Sequence, residues 1–544
     1  MTAMATDVDA VFVNGTVLQM DRAGAVAEAF AVRGDTFAAV GRTGEIRALK
    51  GPATTEIDLG GRTVLPGFND SHNHMLETGL ELATVQLGRV RSMDALLEVI
   101  RREAVRRPDG EWIRCSAAWH ESQLAERRLP TRAELDAVAP RNPVYLPRGG
   151  HVLVVNGLAL RIAGIGPTTS CPGGADIKRD PRTGEPTGLL LEPPAMALVR
   201  RHLPPPSALE KERAILSAMR AFHAAGITSV IEPGLAADEI ALYRRLRADG
   251  RLTMRTTAMV GLGCPGWPDA SGDAVRQLGP YERATDATFR VDGIKLFADG
   301  GIESALLGTP HCVVPGEQEH PRYHGVQALE TERLDDVVRA ANRTGWRVGV
   351  HAVGDAAIDL VLAAFARADR ESPLAGKRWM LIHGLLPKEE HYGPLRAMGI
   401  VVAAQVHHYA LGDNMLRYWG AERASRANPI RGYLGHGITV AGGTDAMVCP
   451  YDQGLAVWAQ IARRTQQGAT LGAELGLARQ DAVALHTRAG SWATFEETRK
   501  GTIERGALAD FVVLSANPLT CPMDELRELR VRQTFVGGRQ VWPA

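Results

Sequence analysis

The sequence predicts an α/β fold: a (β/α)8 TIM-like barrel, a small β-sandwich domain assembled from both termini, and an inserted α/β subdomain. Three observations predict it. Eight short apolar runs recur along the middle of the chain, helical patterns separate several of them, and both ends alternate in the manner of short strands. In order, the runs are 63–68 (TVLPGF), 227–231 (ITSVI), 252–259 (LTMRTTAM), 289–297 (FRVDGIKLF), 346–351 (WRVGVH), 379–383 (WMLIH), 400–405 (IVVAAQ) and 438–445 (ITVAGGTD). Amphipathic helical patterns at 208–226 and 330–345 lie between them. Eight such units account for a closed barrel better than for an open sheet.

The first connection, about 76–206, is far too long for one crossover helix and holds strand-like stretches at 112–117 and 143–147. It is read as the inserted subdomain. Alternating segments at 9–21, 37–41, 509–517 and 532–542 predict the terminal β domain, which gives a division into 1–62 with 496–544, and a barrel over 63–495. The barrel is then clamped by the two ends of the chain.

The chain has 544 residues, 45% apolar and 23% charged, and its 62 basic residues balance 62 acidic ones. That balance removes any global electrostatic case for nucleic acid or a membrane surface, so the expected partner is a small molecule. The N-terminus lacks a basic n-region, and no run approaches the ~20 apolar residues that span a bilayer. Cysteines at 115, 171, 264, 312, 449 and 521 show no CxxC spacing, and a reducing cytoplasm is the expected setting. A homodimer is the default assembly for such an enzyme.

His72 and His74 follow the first run directly, and on extended backbone residues i and i+2 point the same way, so both imidazoles can reach one metal. A pair of histidines in a polar loop would read the same. The metal reading gains weight because Lys295, His351, His383 and Asp445 end the fourth, fifth, sixth and eighth strands, where barrel enzymes place their chemistry. Taken singly, a strand-end histidine is an ordinary polar residue and a strand-end aspartate an ordinary helix cap. Imidazole and carboxylate donors make zinc the first choice, with manganese or iron compatible.

Lysine is scarce, at positions 50, 178, 211, 295, 377, 388 and 500, and Lys295 sits among Ile294, Leu296 and Phe297. A charged ammonium is costly there unless paired. A neutral amine can add carbon dioxide to form a carbamate, a carboxylate analogue able to bridge two metals; a salt bridge to Asp299 or another acid is the plain alternative.

Across VLPGFNDSHNHM, PTRAELDAVAPRNPVYLPRGGHVLVVNGLAL, GEPTGLLLE, DGIKLFADGG, HAVGDAAID, GGTDA, KGTIERGALADFVVL and TFVGGRQV, the chain resembles the amidohydrolase superfamily. Within it, the sequence is similar to amidohydrolase family 3, the YtcJ-like branch that includes N-substituted formamide deformylases. The resemblance implies two divalent metals, with His72 and His74 on the more buried one and His351 and His383 on the second. It further implies Lys295 as a bridging carboxylated lysine, and Asp445 as ligand and proton shuttle. One stretch departs from several relatives: after the lysine they carry a Gly-Ser loop, whereas this chain reads DGGIESALL.

The family also implies that the insert covers the barrel mouth. Trp119, His120, Arg148 and His151 in the insert, and Gln405, His407 and His408 beyond the seventh strand, are the candidate substrate contacts, with packing roles as their alternative. The expected reaction is hydrolysis of a non-peptide C–N bond of a small molecule by a metal-bridging hydroxide. Ester, lactone or carbamate cleavage at the same site differs only in the leaving atom. A mononuclear deaminase would carry a glutamate soon after the fifth-strand histidine, where this chain has AVGD, and a non-catalytic binding protein would have lost its ligands.

Overall fold

The computed structural model describes residues 8–171, 175–263, 269–313 and 322–543. Eight strands pair in parallel, each with the next: Phe68–Asp70, Ile227–Leu235, Arg255–Gly261, Phe289–Phe297, Val348–Ala352, Met380–His383, Val401–Ala404 and Val440–Gly442. Backbone hydrogen bonds from Ser71 to Gly442 (2.9 Å) and from Asp445 to His72 (2.8 Å) join the first strand's end to the last, so the sheet is a (β/α)8 barrel. The eight apolar runs supply its strands with one shift. Thr63–Pro66, read from sequence as the start of the first barrel strand, pairs instead with Phe511–Leu514 and Thr16–Leu18. The barrel strand begins only at Phe68, past Gly67, whose amide bonds Asp510.

Strand periodicity sorts side chains into two layers. Val350, Leu381 and Val402 face the surrounding helices, whereas Ile231, Met259, Met380, Ile382, Val401, Ala403 and Ala441 form a second apolar cluster within the barrel. The predicted helices appear at Ala208–Ala224, started by a Ser207–Glu210 capping box, and at Thr331–Thr344, ended by Gly345 in the left-handed conformation.

The terminal domain is two sheets. One orders Thr36–Gly41, Ala29–Arg33, Ala10–Val13 and Thr55–Asp58; the other runs from Arg539–Trp542 through Val531–Val536, Phe511–Leu514, Thr63–Pro66 and Thr16–Leu18 to Val26–Ala27. Phe12 stacks on Phe30 with ring centroids 4.8 Å apart, Phe511 on Phe535 at 4.4 Å, and the two pairs meet edge to face. Both chain ends therefore contribute to one aromatic core.

The insert has its own five-stranded sheet, ordered Asp176–Arg179, Pro186–Leu191, Val152–Val155, Val144–Arg148 and Ile113–Arg114. Its start lies later than 76, because helix Met75–Leu82 packs on Ala208–Ala224 in the barrel's helical layer. The approach is close: a Cβ added to Gly79 would lie 2.0 Å from the Ala214 carbonyl oxygen.

Among the described residues, Cys115, Cys171, Cys312, Cys449 and Cys521 are free thiols, and Cys264 lies outside those residues. No described helix is long and apolar enough to cross a membrane.

Opposite the strand ends that carry the histidines, Glu496 holds a buried ionic cluster. Its Oε2 is 2.5 Å from Arg290 and 2.7 Å from Lys500, whose Nζ also donates to Ser229 Oγ at 2.9 Å. Burial pushes the Glu496 carboxyl up, but the Lys500 and Arg290 charges outweigh burial and hold it well below the ordinary range. Its stabilising contribution is thus present above about pH 4.5, the unfolded value, and fades as pH falls through the folded one. Glu496→Gln is expected to lower unfolding free energy at pH 7 by roughly 3 kcal/mol in denaturant titrations. That gap should narrow as pH falls below about 4.5, where the carboxyl of the unfolded wild-type chain takes up a proton that the folded one still resists.

Candidate active site

Asp70 ends the first barrel strand and is 1% exposed. It accepts hydrogen bonds from the Thr444 amide (2.9 Å) and hydroxyl (2.5 Å), from Asn73 Nδ2 (2.8 Å) and from the His72 amide (3.3 Å). Burial pushes its carboxyl up to about 6 against those donors. The carboxylate clasps the residue before Asp445 to the segment carrying His72 and His74.

Consequently the Nε2 atoms of His72 and His74 converge on Asp445 Oδ1, at 3.4 and 3.3 Å, while His407 Nε2 donates to Oδ2 at 3.0 Å. Burial raises the Asp445 carboxyl, yet the hydrogen bonds from His407, His72 and His74 hold it well below the ordinary carboxylate range. Its φ of 57° is left-handed, a conformation aspartate tolerates better than most residues. Burial, with the Lys295 charge nearby, pushes His72 down to about 3, so that ring is neutral.

Met380 and Ile382 face inward, so strict alternation would turn His383 toward the helices. A left-handed φ of 73° re-aims it, and its ring lies 5.1 Å from His72, 4.6 Å from His351 and 4.9 Å from His407, centroid to centroid. Such a backbone costs ~1–3 kcal/mol and persists where its surroundings enforce it. Here Gln405 contributes: its Oε1 accepts from His383 Nδ1 at 2.7 Å, which leaves Nε2 bare.

His351 has the opposite tautomer. Nε2–H donates to the Gly300 carbonyl at 3.0 Å and lies 3.4 Å from Asp299 Oδ1, which leaves Nδ1 bare. Asp299 is fixed in turn by the amides of Leu306, Val353 and Gly354, at 2.9 to 3.0 Å, and burial pushes its carboxyl up to about 7. Lys295 is 1% exposed, with Nζ 4.6 Å from the centre of the Phe297 ring.

A partly open cavity of about 50 Å³ separates this cluster from the insert. His351, His383, His407 and Asp445 line one side; His120, Arg148, His151 and the barrel-loop residue Glu303 line the other. The loop DGGIESALL (299–307) meets the insert. The Gly301 amide nitrogen lies 3.1 Å from His151 Nδ1, and a Cβ on Gly301 would stand 2.6 Å from that imidazole ring. Glu192 Oε2 lies 2.7 Å from the same Nδ1, and its Oε1 accepts from the Ser304 hydroxyl.

Three of the candidate contacts take other places. Trp119 is in the apolar core of the insert, its Nε1 donating to the Pro147 carbonyl at 2.7 Å, and it does not line the cavity. Gln405 stands behind His383 rather than in the cavity, because the alternation that turns it inward places its amide against the imidazole. His408 is consumed by Asn428 and the Ala459 carbonyl, both at 2.9 Å. His120, Arg148, His151 and His407 reach the cavity. Sequence reading missed Asp70 and the placing roles of Asp299 and Glu192. Asp70, two residues before His72, was the one with a legible signal.

Ligand-type atoms of His72, His383 and Asp445 all lie within 4.8 Å of one another. With His74 aimed at the same carboxylate oxygen and His351 presenting a bare Nδ1, the donor set fits one or two divalent cations of the kind that take imidazole and carboxylate ligands.

Over 97% of both chains, this sequence is 29% identical to the N-substituted formamide deformylase of Arthrobacter pascens. It is also 29% identical to the putative amidohydrolase YtcJ of Bacillus subtilis (strain 168), over 92% of this chain and 93% of the other. The crystal structure of an uncharacterized metal-dependent hydrolase from Pyrococcus furiosus superposes with a TM-score of 0.69 at 24% identity, over 94% of this chain and all of its own, a likeness of fold. The model of the amidohydrolase family matches residues 55–542, nearly the whole chain, and the protein belongs to that family.

Proposed function

We propose that this amidohydrolase hydrolyses the C–N bond of a small non-peptide amide, with His72, His74, carboxylated Lys295, His351, His383 and Asp445 holding two divalent ions, zinc the first choice. The observation that carries this reading is Asp445: one buried carboxylate, at the edge of the cavity, whose two oxygens face different histidines. The formamide deformylase relative supports small N-formyl amines as first substrates.

Bound divalent ions would supply Lewis acidity, lowering the pKa of water from 15.7 towards ~7 and withdrawing electrons from a carbonyl. The protein's own groups do the rest. His383 and His351 are locked in opposite tautomers by Gln405 and Gly300, so each presents one fixed nitrogen. Asp445 turns Oδ1 to His72 and His74 and Oδ2 to His407. It accepts the attacking water's proton at Oδ2 and returns it to the leaving nitrogen, while the His407 Nε2–H keeps the carboxylate from rotating. The insert covers one side of the cavity over these atoms.

Lys295→Ala is expected to abolish turnover of N-formyl amines and to lower metal content by elemental analysis, with an unchanged circular dichroism spectrum; normal turnover would rule out the dinuclear scheme. Asp445→Asn should cut kcat by about 10²- to 10⁴-fold while sparing metal more than rate. Gln405→Leu, which removes the acceptor that orients His383, should weaken metal affinity by ~10- to 100-fold in chelator competition, and an unchanged affinity would deny Gln405 that role.

A further inference from the structure

The insert side of the cavity carries more negative charge than its buried cations balance. Arg148 is 2% exposed and shared between two carboxylates: Glu121, whose Oε2 is 2.8 Å from Nε, and Glu303, which pairs with Nη1. Tyr418 donates to Glu121 Oε1 at 3.1 Å, and Asn414 approaches Glu303 Oε1 at 3.5 Å. Glu192 adds a third buried carboxylate beside His151. Even with His151 counted as an imidazolium, Glu121, Glu192 and Glu303 outnumber the two buried cations. An uncompensated buried charge is costly, and a ligand can relieve that cost.

A second observation lies on the same wall. His120 is 5% exposed and lines the cavity, yet neither of its ring nitrogens makes a hydrogen bond of normal geometry; there is only a loose approach to the Val448 backbone. A buried imidazole with both nitrogens unsatisfied loses about 1–3 kcal/mol per group unless something occupies the space before it. Glu303 lines the same cavity, so the acid and the unpartnered imidazole both face the space that opens onto Asp445.

We propose that Glu303 and His120 form a subsite for a nitrogen cation or N–H-rich group, such as an alkylammonium, amidine or guanidine, carried by the substrate beyond its scissile carbonyl. Glu303 supplies the charge-assisted acceptor and His120 a second polar contact, while Arg148 holds Glu303 in place from behind. The preferred substrate is then a small amide with a basic terminus. The subsite rests on the amide-hydrolase reading above only for which end of the ligand faces Asp445.

The test uses the metal-loaded protein and two nearly isosteric formamides, N-(4-aminobutyl)formamide and N-pentylformamide, which differ only in an ammonium or a methyl terminus. Binding is measured by calorimetry in the Asp445→Asn background, and hydrolysis in the otherwise wild-type protein. The ammonium probe is expected to bind at least about tenfold more tightly. Glu303→Gln and His120→Ala should each bring the two probes to within about threefold. His120→Ala breaks no hydrogen bond of normal geometry, so it keeps the test open if Glu303→Gln, which weakens an Arg148 ion pair, does not fold. Equal binding of the two probes, or a preference that survives His120→Ala, would overturn the subsite. Hydrolysis of neither probe with the binding preference intact would remove the amide-hydrolase reading and leave the subsite standing; equal binding with brisk hydrolysis of both would do the reverse.

Discussion

The site depends on one buried carboxylate that stands outside the cavity lining. Asp70 receives four hydrogen bonds, from His72, Asn73 and both polar groups of Thr444, and so joins the first barrel strand to the last at the cavity's edge. Where Asp70 holds them, His72, His74 and Asp445 become neighbours although they lie about 370 residues apart in sequence. Burying a carboxylate is unfavourable unless its lone pairs are filled. Here the filling groups are themselves the backbone and side chains that need positioning, so the cost of burial is offset by closure of the barrel.

From that seam the remaining groups are placed by a second ring of acceptors. Gln405, Gly300 and Asp299 each occupy one face of an imidazole and thereby choose which nitrogen stays bare. The left-handed backbones at His383 and Asp445 are part of the same arrangement, since strand geometry alone would aim at least the first of them at the helices. The insert meets this ring through Gly301, which admits the His151 ring because it has no Cβ. The cavity thus has two poles of different origin: a barrel pole of histidines and Asp445, and an insert pole of carboxylates around Arg148.

The alternating β segments at the two ends announced strands, of which some pair with a neighbour, as Val531–Val536 does with Arg539–Trp542, and others with the far end of the chain, as Thr63–Pro66 does with Phe511–Leu514. Only the folded chain shows how they close into two sheets around Phe12, Phe30, Phe511 and Phe535, and why Thr63–Pro66 sides with them. Short apolar runs report that a strand is buried without naming its sheet. For the same reason Trp119 was as readable as a pocket residue as it was as a core residue: an indole suits either until its N–H finds the Pro147 carbonyl.

By itself the sequence determined the periodic elements, the count of eight barrel strands, and the ligand-type residues at strand ends, because strand alternation and the placement of polar residues after apolar runs are local properties. Tertiary structure alone decided which of those residues share a cavity, which nitrogen of each histidine faces it, and which acids stand behind them. Those outcomes follow from hydrogen bonds between segments hundreds of residues apart, Asp70 to Thr444 and Arg148 to Glu303 among them, and no local pattern in the chain encodes such pairings.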